Sequence, residues 1–373
     1  MRAITAPKIL IAGNWVEDNA ILIKEGVIQS ICRLKDIPED YPLEKITDEY
    51  IAPGFFDIQV NGGGGCLLND EPTLDGIKTV ATAHQKFGTT SWLPTLITTD
   101  VKTMHRMADA IEEAISKNLY GVRGVHFEGP FLNPDRKGVH NPKFMSANEQ
   151  DFLKVLQNRD LGQILVTLAP EKTSSEFRAS LIARGITIAA GHTNASYDLT
   201  KTAIEEGLSG FTHLFNAMPP LLSRDPGVIG AALDSLKTFS GLIADGHHVH
   251  PATLKVALNS LTPKRAILVT DAMPPVGSTI TEFTLCDLHV SVKDGRCVTA
   301  EGTLAGSAIS MEDAIVYCLE KLEVTLADAI QMASTTPAHF MGIHKKIGTI
   351  AKGYDAEFVF VSETGRVTGT YRH

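Results

Sequence analysis

Val122-Arg123-Gly124-Val125-His126-Phe127-Glu128-Gly129-Pro130-Phe131 is an apolar run that ends abruptly in a carboxylate. The Gly-Pro pair prevents a strand from continuing, so the stretch predicts a β-strand with Glu128 at its carboxyl end. Three later apolar runs finish in the same way, at His192, His213 and Asp271. In a parallel α/β sheet the loops that leave the carboxyl ends of the strands face one crevice, where ligands and chemistry collect. We therefore expect these four side chains at one edge of a sheet.

The order strand, loop, helix repeats through the middle of the chain. Candidate strands begin near Gly54, Thr90, Val122, Gln163, Ile186, Leu208, Thr238 and Arg265. Helical periodicity fills the stretches between them, such as 100–116 and 196–206, and returns at 311–321 and 326–334. Eight strands with crossovers predict the α/β class, with a closed, TIM-like (β/α)₈ barrel over residues 51–346. An open doubly wound sheet is the alternative, but residues 61–65 are not the GxGxxG fingerprint of a dinucleotide site.

The two ends of the chain predict a second, smaller unit. Residues 9–11, 20–23 and 27–31 indicate short strands of a β-meander, and residues 347–350 and 353–361 give similar signals at the other end. We expect residues 1–50 and 347–373 to pair into one small β-sandwich domain. Strands are also expected at 282–285 and 296–299, around a turn at 293–295.

Charge and cysteine content argue against several classes of protein. The 373 residues carry 34 Lys and Arg against 43 Asp and Glu, a net charge of −9, without a dense basic cluster, so nucleic acid is not an expected partner. The five cysteines are scattered and form no CxxC pair, which argues against a disulfide framework or a cysteine zinc site. Pro7 and Lys8 within the short N-terminal apolar patch disfavour a signal peptide, and no apolar run reaches about 18 residues, so we expect a cytoplasmic protein without membrane contact.

Glu128, His192 and His213 together offer one carboxylate and two imidazoles. This is the ligand type of a catalytic divalent metal with a position left for water, and it indicates Zn²⁺ or a similar ion. Asp271 is expected at the same mouth, where it could accept a proton from metal-bound water. Each residue taken alone is explained as well by loop capping, so the prediction rests on their shared position at strand ends.

Side chains on two of the strands point to the same mouth. His126 lies two residues before Glu128 and faces the same side, either as a ligand or, preferably, as a support for one. Gln59 and Asn61 project inward together from the first strand. Neutral amides bind metals poorly beside imidazoles, so we expect these two residues to contact substrate.

A polar and cationic group follows in the loops, formed by His140, Arg224, His247 and His248. An arginine near histidines at a barrel mouth indicates an anionic group on the substrate, phosphate in particular. Without the barrel, the same residues would be interpreted as solvated loop positions.

Five motifs stand in order between about residues 50 and 345. They are Ala52-Pro53-Gly54-Phe55-Phe56-Asp57-Ile58-Gln59-Val60-Asn61-Gly62, His126-Phe127-Glu128-Gly129-Pro130-Phe131, Ala190-Gly191-His192-Thr193-Asn194-Ala195, Thr212-His213-Leu214-Phe215-Asn216-Ala217-Met218 and Val269-Thr270-Asp271-Ala272-Met273. Together they resemble the N-acetylglucosamine-6-phosphate deacetylases, a family of the amidohydrolase superfamily. The resemblance implies a hydrolase that converts N-acetylglucosamine 6-phosphate to glucosamine 6-phosphate and acetate, in amino-sugar catabolism and recycling.

The resemblance also implies roles for individual residues. Glu128, His192 and His213 match ligands of one divalent ion per subunit, Zn²⁺ or else Fe²⁺, Co²⁺ or Mn²⁺. Asp271 matches the general base and acid, and His140 a residue that polarises the amide carbonyl. Contacts with the sugar phosphate or the acetyl group are implied for Val139, His140, Asn216, Ala217, Arg224, His248, Leu304, Ala305 and Gly306.

A homodimer is implied as well, with Arg224 and His248 reaching the neighbouring site. His247 precedes His248 directly and is the alternative phosphate contact.

The chain differs from the motifs of related enzymes at several positions. These differences limit the number of metal ions and the kinds of reaction that we expect. Many members of the superfamily carry HxH on the first strand and hold two metals, whereas Gln59 and Asn61 stand here and indicate one ion. Cyclic-amide hydrolases also need, as a rule, a lysine at the fourth strand's tip, where this chain has Thr167-Leu168-Ala169-Pro170. An N-acetylgalactosamine-6-phosphate deacetylase stays open, because a sequence does not report one inverted hydroxyl. A noncatalytic barrel is disfavoured because the ligand set is complete.

Overall fold

Eight parallel strands form the central sheet of the protein. The structure, a computed structural model, describes residues 1–372. Barrel strands 1 to 8, numbered along the chain, are Phe55–Val60, Thr89–Ile97, Gly124–Glu128, Gln163–Leu168, Thr187–Ala190, Gly210–Phe211, Phe239–Leu242 and Ala266–Leu268. Each pairs in parallel with the next, and the bridge between Val60 and Ala272 closes the cylinder. The predicted (β/α)₈ barrel is confirmed.

Helices alternate with the strands and form the outer layer. They are Leu74–Gln85, Val101–Ser116, Glu149–Leu156, Ser175–Ala183, Tyr197–Glu205, Gly227–Asp234, Pro251–Leu261, Met311–Leu322, Leu326–Ala333 and Thr335–Phe340. Local sequence fixes several starts: the side chains of Asp100 and Ser196 cap the second and fifth helices by accepting hydrogen bonds from backbone N–H groups. Within residues 1–372, no helix combines the length and the apolar character needed to cross a bilayer.

Alternation along strand 3 aims its polar residues into the barrel. Phe127 points outward and meets Phe152 of the helix layer, with ring centroids 5.6 Å apart. His126 and Glu128 therefore point inward. The interior below them is filled by apolar side chains such as Phe56 and Leu165. Glu128 thus lies at the upper end of a barrel interior whose lower part is apolar.

Two further sheets form a small β-sandwich. One contains Val27–Arg33, Asn19–Lys24, Arg2–Thr5 and Leu43–Lys45, and the other contains Val367–Arg372, Glu357–Val361, Tyr50–Pro53, Ile9–Ile11 and Asn14–Val16, each in spatial order. Ile4 of the first sheet and Phe358 of the second belong to one buried cluster. A small β-sandwich built from both ends of the chain is therefore confirmed, while the domain limits at residues 50 and 346 stay a prediction.

Two expectations about the terminal segments are wrong. Residues 347–350 form no strand; Ile347 is buried with the barrel interior and Ile350 in the sandwich. The N-terminal strands form no simple meander, because Ile9–Ile11 leaves the sheet of Arg2–Thr5 and pairs with Ile51 of the other sheet. Short apolar runs identify buried residues but do not separate a strand from a buried turn.

A four-stranded antiparallel sheet is inserted after barrel strand 8. Its strands are Glu282–Leu285, Leu288–Lys293, Arg296–Thr299 and Leu304–Ser307, with the expected turn at 293–295. Ser307 bridges to Ala272, so the last strand of this sheet is attached to the rim of the barrel. The insertion thereby brings Leu304 and Gly306 to the mouth.

Glu357 joins the β-sandwich to the barrel and offers a test of that joint. Its buried carboxylate pairs with Arg123 and Arg372 and accepts a hydrogen bond from Ser91 Oγ at 2.8 Å. Glu357→Ala leaves the largely buried guanidinium of Arg372 without a counter-charge and leaves Arg123 with only Asp355 at 3.3 Å, so the free energy of unfolding in urea should fall by about 3–5 kcal/mol. Glu363→Ala, at an exposed position, should change it by less than about 0.5 kcal/mol. Equal effects of the two substitutions would contradict this account.

Candidate active site

Three donor atoms meet at the carboxyl end of the barrel. Glu128 ends strand 3, and His192 and His213 lie two residues beyond strands 5 and 6. Glu128 Oε1 lies 3.2 Å from His192 Nε2 and 3.0 Å from His213 Nε2, and the two imidazole nitrogens are 3.0 Å apart. All three side chains are buried. We call this group the Glu128–His192–His213 triad.

The triad fits a divalent metal ion. Zinc–ligand bonds of about 2.0–2.1 Å in a tetrahedron place neighbouring donor atoms about 3.3 Å apart, close to the separations found here. His192 Nδ1 lies 2.7 Å from the carbonyl oxygen of Arg136. A carbonyl only accepts, so Nδ1 carries the proton and Nε2 of the neutral ring keeps its lone pair for an ion.

Burial and charge act against each other in the triad. Burial alone would raise the pKa of Glu128, but hydrogen bonds from His192 and His213 outweigh it and hold this pKa well below its usual range. Burial would lower the pKa of His213, yet the Glu128 carboxylate raises it. The carboxylate thus stays ionised and needs a positive partner in the site.

His140 stands next to the triad. Its ring centroid lies 4.4 Å from that of His192, and its Nδ1 lies 2.9 Å from Thr98 Oγ1. Burial, together with the nearby imidazole of His192, lowers the pKa of His140 to about 3, so the ring is neutral at pH 7. Glu128, His140 and His192 also offer atoms within 4.8 Å of one another. We favour the Glu128–His192–His213 triad as the ion site because its donor atoms lie within 3.2 Å.

Asp271 faces the same mouth from three residues beyond strand 8. Its backbone adopts φ +50°, a left-handed conformation, and its N–H donates to Gln59 O at 3.0 Å. Burial and, after it, the negative charge of Glu128 raise the pKa of Asp271 to about 6. A carboxylate with a pKa nearer to neutrality is a better proton acceptor than an ordinary one.

Gln59 and Asn61 contact carboxylates and do not line the pocket, which corrects their expected role as substrate contacts. Gln59 Nε2 lies 3.2 Å from both Glu128 Oε2 and Asp271 Oδ1, and Asn61 Nδ2 lies 2.6 Å from Asp271 Oδ1. Both amides are buried. Alternation along a strand predicts which face a residue takes but not its depth below the mouth.

His126 lies below the triad with both ring nitrogens in use. Nδ1 lies 3.0 Å from Ile58 O and Nε2 lies 2.8 Å from Thr167 Oγ1. Burial lowers the pKa of His126 to about 4. These contacts agree with the preferred expectation of a supporting position over that of a ligand.

A pocket of about 460 Å³ opens above the triad. Its wall includes most of the expected substrate contacts, namely Val139, His140, Asn216, Ala217, His248, Leu304 and Gly306. Ala305 is an exception, because its side chain is buried in an apolar cluster with Met273 and Leu285. The neighbouring residues Gly302 and Thr303 line the pocket instead.

The expected phosphate contacts divide into two groups. His248 lines this chain's own pocket, with Nδ1 2.6 Å from Asp245 Oδ2, and its reach into a neighbouring site stays a prediction. His247 is exposed and lies outside the pocket wall. Arg224 is exposed and outside it too, and its expected reach into a neighbouring site stays a prediction.

Sequence reasoning missed part of the wall. The residues not foreseen there are Ile97, Asp135, Arg136, Gly138, Met273, Gly302 and Thr303. A signal existed for Arg136, since it lies in the loop between Glu128 and His140, both already assigned to the mouth.

Comparison with known proteins identifies the family to which this chain belongs. The amidohydrolase family profile matches residues 50–372. A curated relative, the N-acetylgalactosamine-6-phosphate deacetylase of a Shewanella species, is 41% identical over 98% of this chain and 93% of its own length. The N-acetylglucosamine-6-phosphate deacetylase of Haemophilus influenzae is 30% identical over 95% and 93%.

A solved structure agrees in fold over the whole chain. The crystal structure of N-acetylglucosamine-6-phosphate deacetylase from Pasteurella multocida is similar with a TM-score of 0.95 and 30% identity, over 100% of this chain and 98% of that one. The chain therefore belongs to the amidohydrolase family.

Loss of a triad side chain should remove a bound ion. After incubation with Zn²⁺ and passage through metal-free buffer, the wild type should retain about one ion per chain, whereas Glu128→Gln and His192→Ala should retain less than about a tenth of that. Atomic absorption measures the ratio. His289→Ala, at a side chain that is 64% exposed, serves as the matched control. An unchanged metal ratio in both triad variants would exclude the site.

Proposed function

We propose that this chain hydrolyses the acetamide of N-acetylglucosamine 6-phosphate to glucosamine 6-phosphate and acetate, in amino-sugar catabolism and recycling. The observation that carries the proposal is the triad beside Asp271 under one pocket, in a chain 30–41% identical to curated deacetylases of N-acetylhexosamine 6-phosphates. Both features are needed, because the fold alone supports many chemistries.

The triad would hold the ion, and Asp271 would move the proton. A divalent ion bound there would polarise the amide carbonyl and lower the pKa of water from 15.7 to about 7. Asp271 lies in the pocket wall, and its raised pKa suits it to take a proton from the attacking water. Gln59 and Asn61 fix the orientation of its carboxylate.

Asp271 would then return the proton to the departing nitrogen. The water oxygen forms a bond with the carbonyl carbon, the C–N bond breaks, and the nitrogen leaves as an amine because an unprotonated amide anion is too basic to leave. The products are acetate and the free amino sugar phosphate. One carboxyl group serves both steps and ends in its initial state.

His140 would donate a hydrogen bond to the amide carbonyl, and Thr98 controls whether it can. Thr98 Oγ1 lies 2.9 Å from His140 Nδ1 and 3.1 Å from the carbonyl oxygen of Glu128. With the Thr98 hydroxyl donating to the Glu128 carbonyl, His140 Nδ1–H donates to Thr98 Oγ1 and Nε2 carries the lone pair. The hydroxyl hydrogen must turn to Nδ1 before the neutral ring carries its proton on Nε2 and can donate it. Oxyanion stabilisation of this kind acts on the charge that develops during attack.

The epimer at C4 defines the second candidate substrate. The Shewanella relative that is 41% identical is named for N-acetylgalactosamine 6-phosphate, which favours this substrate as the alternative. Both substrates present the same acetamide and phosphate, so the proposed chemistry is unchanged.

We further propose one Zn²⁺ per chain, with Fe²⁺, Co²⁺ or Mn²⁺ as substitutes, in a cytoplasmic homodimer. One carboxylate and two imidazoles are ligands that zinc accepts. The exposed position of Arg224, outside its own pocket, suits a residue that enters the neighbouring site. The five cysteines are free, as in a reducing compartment.

Acetate release tests the function directly. Purified enzyme should release acetate from N-acetylglucosamine 6-phosphate or its galactosamine epimer, and a chelator should abolish release until Zn²⁺ or Co²⁺ is restored. The ratio of kcat/KM for the two epimers identifies the substrate. Acetate release from neither epimer by metal-loaded enzyme would refute the proposal.

Asp271 should set the acid limb of the pH profile. The carboxyl must be ionised to accept a proton, so kcat/KM should fall as pH drops through its pKa of about 6 or, with a cation alongside, through a lower value. Asp271→Asn should keep the bound ion and lower kcat by about 10³-fold or more. Near wild-type turnover in Asp271→Asn would remove this residue from the chemistry.

A further inference from the structure

Arg136 places a guanidinium group in the pocket wall. Within residues 1–372 it is the only Lys or Arg that lines the pocket, and it takes part in no ion pair among those residues. The same wall contains the carboxylates of Glu128, Asp135 and Asp271. A substrate that carries a phosphate dianion therefore meets a pocket rich in negative charge, in which Arg136 is the permanent cation.

We propose that Arg136 binds the phosphate group of the substrate within its own chain. The inference rests on the proposed function and adds a specificity-determining residue to it. Arg224 does not fill this role inside a single chain, because it is exposed and lies outside the pocket.

Hydrogen bonds hold Arg136 in place before any ligand binds. Its Nε donates to Asn194 Oδ1 at 2.5 Å, and its carbonyl oxygen accepts a hydrogen bond from His192 Nδ1 at 2.7 Å. Nε is thus occupied, while the two terminal amino groups have no hydrogen-bond partner among the described residues and are free for a bidentate contact with phosphate oxygens. A preorganised side chain loses less entropy when the ligand binds.

Glu171 fixes the loop that positions Arg136. Its carboxylate accepts hydrogen bonds from Asn194 N at 2.7 Å, Thr193 Oγ1 at 2.5 Å and Asn133 Nδ2 at 2.8 Å. These contacts tie the loops after barrel strands 3 and 5 to Glu171, which follows strand 4. Arg136 and Asn194 therefore belong to one braced wall.

The part of the pocket wall that contains Arg136 and Asn194 is also connected to Asn216 and Ala217, two of the expected contacts with the sugar phosphate. Thr193 N donates to Ala217 O at 3.3 Å, so the loop that holds Arg136 touches the Asn216-Ala217 segment. Both of those residues line the pocket. Arg136 thus shares one connected wall with Asn216 and Ala217, two of the expected sugar-phosphate contacts.

Steady-state kinetics of Arg136→Met test the proposal. KM for the phosphorylated substrate should rise about 10- to 100-fold, the effect of losing a charge-assisted contact, while kcat changes by less than about threefold. With the unphosphorylated N-acetyl sugar, kcat/KM should stay within about threefold of the wild type. Arg106→Met removes the same charge from an exposed helix position and should leave all constants unchanged.

A second variant tests whether the hydrogen bond between Arg136 and Asn194 contributes to phosphate binding. Asn194→Ala keeps the charge of Arg136 but removes its hydrogen-bond partner, so KM for the phosphorylated substrate should rise by a smaller factor. Zinc content should stay at the wild-type level in both variants, because the contact of His192 is with the backbone of Arg136. An unchanged KM in Arg136→Met, or an equal loss with phosphorylated and unphosphorylated sugar, would overturn the inference.

Calorimetry with glucosamine 6-phosphate separates this inference from the proposed function. Wild-type binding that weakens about 10-fold or more in Arg136→Met supports the phosphate contact even if no acetate is released from the substrate. Equal affinity of the two proteins, with deacetylation intact in the wild type, refutes the role of Arg136 and leaves the function standing.

Discussion

The site depends on keeping an ionised carboxylate buried beside two imidazoles. Glu128 lies at the top of an apolar barrel interior, where an unpaired charge would be costly. The structure meets this cost by bringing His192 and His213 within 3.2 Å of one carboxylate oxygen. The three side chains can come this close only in a closed barrel. Residues at the ends of strands 3, 5 and 6 converge on one point because the strands curve around the barrel axis.

The first strand supports this centre from below. Gln59 and Asn61, at the end of this strand, donate hydrogen bonds to Glu128 and Asp271. Donors at this position keep two nearby carboxylates correctly oriented. The strand thus orients acidic groups through neutral amides, which accords with the proposal of a single ion.

The pocket above the centre is built by segments that lie far apart in the chain. The loop after strand 3 supplies Arg136 and His140, and the inserted sheet after strand 8 supplies Leu304 and Gly306. The barrel holds the chemistry while these segments shape the ligand's surroundings. Such a division lets one scaffold serve different substrates through changes in its loops.

The sequence alone determined the barrel, its strand order and the residues that end its strands, because hydrophobic periodicity and Gly-Pro stops are local signals. The triad could be inferred because the carboxyl ends of parallel strands share one edge. Only the tertiary structure decided that Gln59 and Asn61 lie beneath the mouth, that Ala305 turns away from it, and that Arg136 and His248 line it. Contacts between segments far apart in the chain decide how deep a residue lies below the mouth and where a loop side chain points. A local sequence pattern does not contain that information.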